Sequence, residues 1–330
     1  MKSVILSFIL IAWSIMVFAQ PGAISNILVS QGTGESERVV DIMFDLSGND
    51  PYYELTMEVS FDNGGTYTPI DPGEVSGGSI VTPGAGIQLV WDGRVSYAGI
   101  ASDMARIRIT AITYPCGDPI TDIDGNVYNT VLIGEQCWMA ENLKTTRYRN
   151  EIPIENIPDN TDWRNSTTGA YAWYDNDISW KDSFGALYNW YAVNDTNGLC
   201  PPGWHVPSDA EWTALSDYVS SQSGYICDSN SEWIGKALAA TTVWDTSTNI
   251  CVPGNNPTAN NVTGFSGLPG GFRSFSGGFG SVGKNGVWFS STEFEDDYAL
   301  YRSINFSLPK LNPGHHPKYY GFSVRCIKDD

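Results

Sequence analysis

The sequence predicts a mixed fold: an all-β sandwich in the first third, then an α+β domain rich in aromatic residues. Three observations lead there. Between Ile24 and Thr113 the apolar residues come in short β-rich runs separated by Gly, Asn, Asp and Pro clusters, with no helical periodicity. Across Thr113-Tyr114-Pro115-Cys116-Gly117-Asp118-Pro119 the composition changes, and ten of the twelve tryptophans lie beyond it. The later region carries two stretches of helical spacing and then Gly-rich, turn-broken strands.

The chain opens with Met1-Lys2, an apolar run from Val4 to Phe18, and small residues at Val17 and Ala19. That three-part pattern predicts a secretory signal peptide over residues 1–19, cleaved before Gln20. The run is short for a bilayer span, and no later stretch is apolar enough to be one, so no transmembrane segment is expected after cleavage. No Cys follows Ala19, which argues against a lipid anchor. The formal charge of the 330 residues is −19. Such an acidic surface repels phosphate backbones and argues against a nucleic-acid partner.

Residues 20–114 read as the sandwich. Ile27-Leu28-Val29, Val39 to Phe44, Leu55 to Val59, Ile87 to Trp91 and Ala105 to Thr110 are strand candidates. In the last, Ile107 and Ile109 face one way while Arg106, Arg108 and Thr110 face the other. About seven short strands in a domain of this size are the pattern of an immunoglobulin- or fibronectin-like sandwich. Ser60-Phe61-Asp62-Asn63-Gly64-Gly65-Thr66-Tyr67 is similar to an Asp-box hairpin, with Tyr67 at the Trp position. It occurs once, so a turn whose Asp bonds its own backbone is the expected reading.

Residues 115–330 read as the second domain. Phe184, Leu187, Tyr188 and Tyr191 fall at helical spacing and predict one apolar helix face. A second helix starts at Ser208-Asp209-Ala210-Glu211, a capping box, with Trp212, Leu215, Tyr218 and Val219 as its apolar face. Val287-Trp288-Phe289 and Gly321 to Cys326 are late strand candidates. All six cysteines lie in this region and their count is even, as in a disulfide framework formed outside the cytoplasm. About fifteen pairings are possible. Proximity favours Cys116 with Cys137 and Cys227 with Cys251, which leaves Cys200 with Cys326.

Several motifs in this region resemble one known family. They are Asp122 to Tyr128, Ile133 to Leu143, Gly185 to Trp190, and Cys200 to Pro207 with Glu211-Trp212. Gly264 to Arg273, Trp288 to Thr292 and Gly321 to Cys326 complete the set. Together they resemble the Fibrobacter succinogenes major paralogous domain, an exported bacterial module, in order from about Thr121 to Lys328. The resemblance implies a C-type-lectin-like fold, also similar to the formylglycine-generating sulfatase-modifying group, and a secreted or cell-surface location in a bacterium. It implies no reaction. The sulfatase-modifying relatives use a pair of nearby cysteines, whereas Cys326 has none closer than Cys251, so catalysis is not expected here.

The expected function is therefore binding of a glycan or a surface protein, with a purely structural or adhesive role as the alternative. Trp163, Trp173, Tyr174 and Trp180, interleaved with Asp175 and Asp177, combine flat rings with hydrogen-bonding oxygens and are candidate ligand residues. His315, His316 and Tyr319 form a second candidate patch on a turn-like loop. His205, set before the capping box, reads as a hydrogen-bonding residue. No cofactor is implied, with one weak exception. Glu293, Glu295, Asp296 and Asp297 sit near where lectin-like folds carry calcium ligands, and Asp122-Ile123-Asp124-Gly125-Asn126 looks like half a calcium loop. The latter lacks the later acidic ligands and reads as a turn with Gly125 at positive φ.

Overall fold

The computed structural model describes residues 22–32, 38–97, 102, 104–114 and 116–329. The expected signal peptide lies outside them. The chain divides into two compact units, one ending at Gly117 and one starting at Asp118.

In the first unit, strands β1 (Ala23–Gln31), β2 (Val39–Ser47), β3 (Tyr53–Ser60), β4 (Thr68–Pro69), β5 (Val75–Ser76), β6 (Ile80–Val81), β7 (Gly84–Asp92) and β8 (Arg106–Thr113) form two antiparallel sheets. One has the order β1-β2-β7-β5; the other is built on β3, with β8 on one edge and β4 and β6 on the other. Alternate residues point inward because side chains alternate along a strand. Val40, Ile42, Phe44 and Leu46 of β2 and Tyr53, Leu55, Met57 and Val59 of β3 thus share one core with Leu89, Trp91 and Ile107. The Ser60–Tyr67 hairpin is the expected turn. The Asp62 carboxylate accepts from Ser60 Oγ at 2.6 Å and from the Thr66 amide at 2.8 Å. Those two bonds hold its pKa down at about 2.

The second unit opens with the hairpins β9 (Ile120–Thr121)–β10 (Val127–Tyr128) and β11 (Thr130–Ile133)–β12 (Gln136–Met139). Strands β13 (Glu155–Asn156), β14 (Ala170–Ala172) and β15 (Leu187–Tyr188) form a small sheet. Strand β16 (Trp204–His205) belongs to the sheet of β11 and β12. Then come β17 (Gly270–Arg273), β18 (Phe279–Val282), β19 (Asn285–Glu295), β20 (Tyr298–Asn305), β21 (Leu311–Pro317) and β22 (Ile327–Lys328). Helices α1 (Asn160–Asn165), α2 (Lys181–Phe184), α3 (Trp190–Val193) and α5 (Gly235–Leu238) are one or two turns; α4 (Asp209–Ser221) is the long one. The unit is therefore β-rich, with helix confined to short pieces around α4.

Helix α4 begins as expected. Ser208 and Glu211 form the full capping box, and Trp212, Leu215 and Val219 are buried. Tyr218, expected on the same face, is 37 % exposed. The helix expected over Phe184–Tyr191 is not one helix. Gly185 ends α2 at φ +76°, and a Cβ there would lie 2.7 Å from the Leu143 carbonyl oxygen. Leu187 and Tyr188 then pair with β14, and Asn189 caps α3 by accepting from the Ala192 amide. Helical spacing arose here from a turn, a strand and a second turn, which bury Phe184, Leu187 and Tyr188 and leave Tyr191 half-buried.

Gly321–Cys326 is likewise no regular strand. It threads the interior, bridging Arg273 through Gly321, Tyr188 through Phe322 and Trp288 through Ser323 before β22 begins. Around it lie the rings of Trp138, Trp212, Phe265 and Trp288, each almost wholly buried, with successive centroids 4.8–6.2 Å apart. Two buried polar groups organise this core. Asn142 donates to the Phe184 carbonyl and Ser323 Oγ, and accepts from Trp288 Nε1 (2.8 Å) and Arg325 Nε (3.2 Å). Arg325 also donates to the carbonyls of Phe265, Ser266 and Met139, and stacks 4.3 Å from the Phe265 ring.

Cys200 is bonded to Cys326 and Cys227 to Cys251, as proximity and elimination had suggested. Cys116 and Cys137 are oxidised as well, and no cysteine among the described residues is free. Three disulfides fit an oxidising compartment outside the cytoplasm. Among the described residues no helix is long and apolar enough to cross a membrane.

Candidate functional site

One open surface that brings aromatic and polar side chains together is a face of the sheet β19-β20-β21. Alternation decides which side chains reach it. On β20, Arg302 and Ile304 are buried, while Tyr301, Ser303 and Asn305 point to the opposite face. The buried face is fixed to α4: Arg302 donates to the Asp209 carboxylate at 2.5 Å and to Thr213 Oγ1 at 3.1 Å. On β19, Gly286 and Trp288 go to the core, leaving Asn285 and Val287 on the open face. On β21, Asn312 and His316 join them. Antiparallel register sets the rows: Asn285 opposite Asn305, Val287 and Asn312 on either side of Ser303, and Gly314 opposite Tyr301.

Phe272 from β17, Leu308, Tyr320 and Phe322 complete a cleft of about 240 Å³. One wall is a ladder of nearly parallel rings. The rings of Tyr301 and His316 are 5.1 Å apart at 10°, and those of His316 and Tyr320 are 4.3 Å apart at 14°. Phe322 packs along the side of the ladder, 5.3–5.7 Å from all three rings at 51–60°. Gly314 makes room for it, since a Cβ there would lie 2.6 Å from the Tyr301 ring. On the polar side, Asn305 Nδ2 donates to Asn285 Oδ1, and Asn305 Oδ1 accepts from Ser307. Asn285 Nδ2, Asn312 Oδ1, Ser303 Oγ and the His316 ring nitrogens keep hydrogen-bonding capacity for a ligand. Burial, and then the neighbouring His315, lower the His316 pKa; burial raises those of Tyr301 and Tyr320. All three rings are uncharged near neutral pH.

Sequence reasoning found part of this surface. His316 lines the cleft. His315, the next residue along the strand, points away and stacks on the exposed ring of Phe294 at 4.3 Å. Tyr319 lies beside Tyr320 but does not line the cleft; its carbonyl accepts from Trp163 Nε1 at 2.8 Å. Trp163 itself is wholly buried beneath the Arg273 guanidinium, which sits 4.3 Å from its ring. Trp173 and Tyr174 are also buried, at 6 % and 7 % exposure. Tyr171 packs edge-on against Trp173, and Trp180 and Phe279 pack against Tyr174. These three rings are therefore core rather than ligand platforms: the loop that carries them folds inward to bury apolar area. Trp180 is half-buried, stacked on Phe184 at 5.4 Å. Asp175 and Asp177 are exposed, and Asp177 caps the following turn by accepting from the Ser179 amide. Sequence reasoning missed Tyr301, Ser303, Asn285, Asn305 and Asn312. The alternation Tyr301-Arg302-Ser303-Ile304-Asn305 was the signal that could have placed three of them on one strand face.

Elsewhere several charged groups are engaged in structural bonds. The Asp122 carboxylate accepts from the amides of Asp124 and Asn126, from Asn126 Nδ2 and from Tyr128 Oη, closing the turn around Gly125 (φ +80°). Asp124 binds Arg147 and the Thr146 amide. Lys318 is buried over the Trp190 ring and donates to Glu293 and to the Asp296 carbonyl, so Glu293 already has a cationic partner. Glu295, Asp296 and Asp297 are exposed. No group of three or more His, Cys, Asp or Glu among the described residues could hold a metal ion. His205 bridges Glu211 (2.7 Å) and Asp329 (2.6 Å). The Glu211 bond, then the Asp329 bond, raise its pKa to about 9 against the cost of desolvation.

Fold and site together define a β-rich, disulfide-stapled domain whose cleft lies on an open sheet face. Residues 131–328, more than half of the chain, match the model of the Fibrobacter succinogenes major domain, and the chain belongs to that family. No curated protein and no solved structure matches it.

Proposed function

We propose that the protein is an exported, non-catalytic binding module, secreted or held at the bacterial cell surface, that recognises a glycan through the β19-β20-β21 cleft. The observation that carries this reading is the cleft's pairing of a stacked ring wall with amide and hydroxyl groups that still have hydrogen bonds to make. Sugars present an apolar ring face and a polar rim of hydroxyls, and such a lining satisfies both. The absence of catalysis is supported by the engagement of the shifted carboxylates and of His205 in structural bonds. In this reading the first unit is an immunoglobulin- or fibronectin-like sandwich and the second a C-type-lectin-like domain.

A glycan array probed with the full mature chain tests the proposal. We expect binding to at least one sugar class, with the bound glycan recovered uncleaved. Cleavage of the glycan would refute the non-catalytic reading. A second reading, adhesion to a protein, draws on the end of the β19–β20 hairpin, where Phe294 and Tyr298 are 46 % and 37 % exposed around His315. An array without any hit, with retained attachment to cells, favours it.

A further inference from the structure

We infer that the ligand of this cleft is a neutral glycan segment of one or two sugar rings, and that the cleft selects against uronic, sialic and sulfated sugars; the inference rests on the glycan reading above. Its ground is what the lining lacks. The eleven residues are Phe272, Val287, Leu308 and Phe322, the three stacked rings, and Asn285, Ser303, Asn305 and Asn312. None is Asp, Glu, Lys or Arg, in a chain whose formal charge is −19.

An anionic sugar entering this cleft would leave water without meeting a cation. Burying an ion without a partner costs far more than burying a hydroxyl that finds an amide. Proteins that select carboxylates or sulfates supply Arg or Lys forks for the purpose, and this lining has none. The acidic surface adds long-range repulsion. A neutral sugar meets the opposite balance. Asn285 Nδ2 can donate to a ring hydroxyl; Asn312 Oδ1 can accept from one; Ser303 Oγ can do either. A C–H face of the sugar can lie against the ring wall.

Size sets the length. A cleft of about 240 Å³ falls below the roughly 300–1,000 Å³ of sites that enclose drug-sized ligands. It accommodates the end or one short stretch of a chain rather than a long oligosaccharide.

The test uses the full mature chain and isothermal titration against neutral disaccharides (cellobiose, maltose, mannobiose, xylobiose, lactose, N,N′-diacetylchitobiose). Acidic counterparts, digalacturonate, 3′-sialyllactose and 6-sulfolactose, are titrated alongside. At least one neutral sugar is expected to bind at least tenfold more tightly than any acidic one. Tyr320→Ala removes one end of the ring ladder and should weaken that binding at least tenfold. Ser303→Ala provides a variant with little risk to folding, because it removes only a half-buried hydroxyl from the cleft. It should weaken binding about fivefold or more while leaving the thermal midpoint within a few degrees. Equal or tighter binding of an acidic sugar, lost in both variants, overturns the neutral-ligand inference and leaves the glycan reading standing. Binding unchanged in both variants overturns the assignment to this cleft. Failure of every sugar to bind overturns the glycan reading together with the inference.

Discussion

Replacing Asn142 by Ala removes a side chain that uses both of its donors and both of its acceptor positions inside the core. The Ser323 oxygen loses only a donor, and its hydroxyl remains free to donate elsewhere by rotating. Three groups cannot follow: the Trp288 indole N–H, the Arg325 Nε–H and the Phe184 carbonyl. Trp288 and Arg325 are fully buried and Phe184 is 5 % exposed, so water does not replace the lost partner. Leaving a buried polar group unsatisfied costs about 1–3 kcal/mol, and Arg325 retains its bonds to the carbonyls of Phe265, Ser266 and Met139. The expected loss is therefore about 3–5 kcal/mol, a large share of the roughly 5–15 kcal/mol by which domains are stable. Guanidinium unfolding of the disulfide-intact protein, followed by tryptophan fluorescence, measures it. Ten of the twelve tryptophans lie beyond Gly117, so the signal reports the second unit. Asn142→Asp keeps both acceptor positions and loses the donors, and should cost less than the Ala variant. A loss below about 1 kcal/mol for Asn142→Ala would refute the reasoning, because it would mean that these groups find other partners. A larger cost for Asp than for Ala would show that the donors, rather than the acceptors, hold the site.

Two further outcomes follow from the same structure. His205 has a folded pKa of about 9, above its unfolded value near 6.5, so its contribution is fully present below pH 6.5 and is lost as pH rises through 9. Its side chain is 39 % exposed, and solvent screening reduces the effect to about 1 kcal/mol. Denaturation of the native protein and His205→Gln at pH 6 and pH 9.5 should show that extra loss in the native protein alone; parallel losses would remove the clamp from the account. Among the disulfides, Cys200–Cys326 closes 126 residues and Cys227–Cys251 closes 24. The chain-entropy model gives about 5 and 3.5 kcal/mol respectively. Paired Cys→Ser variants should rank in that order by thermal midpoint, and the reverse order would show that local packing outweighs loop closure.

The strands of the first unit, the start of α4 and the change of architecture near Pro115 were legible in the chain because each depends on local physics. Alternation along Val39–Phe44 and Ala105–Thr110 states which face is apolar. Ser208 and Glu211 satisfy each other's backbone within one turn, whatever surrounds them. An even cysteine count in an exported chain states oxidation, and nearness in sequence suggested two of the pairs. Periodicity misled at Phe184–Tyr191, where the positive φ at Gly185 divides residues that are apolar for separate reasons.

What the chain alone determined is thus the face each element must bury; what met that face was settled only by tertiary structure. The aromatic loop from Trp163 to Trp180 has the composition of a binding surface, yet packing against Arg273, Phe279 and Phe184 turned most of it into core. Arg325 is buried among carbonyls, with Asn142, 183 residues away, as a partner. The cleft is assembled from Phe272, the open faces of β19, β20 and β21, and the segment that follows them. No single stretch encodes it, because a site built across strands depends on register, and register is fixed by hydrogen bonds between residues that are distant in the chain.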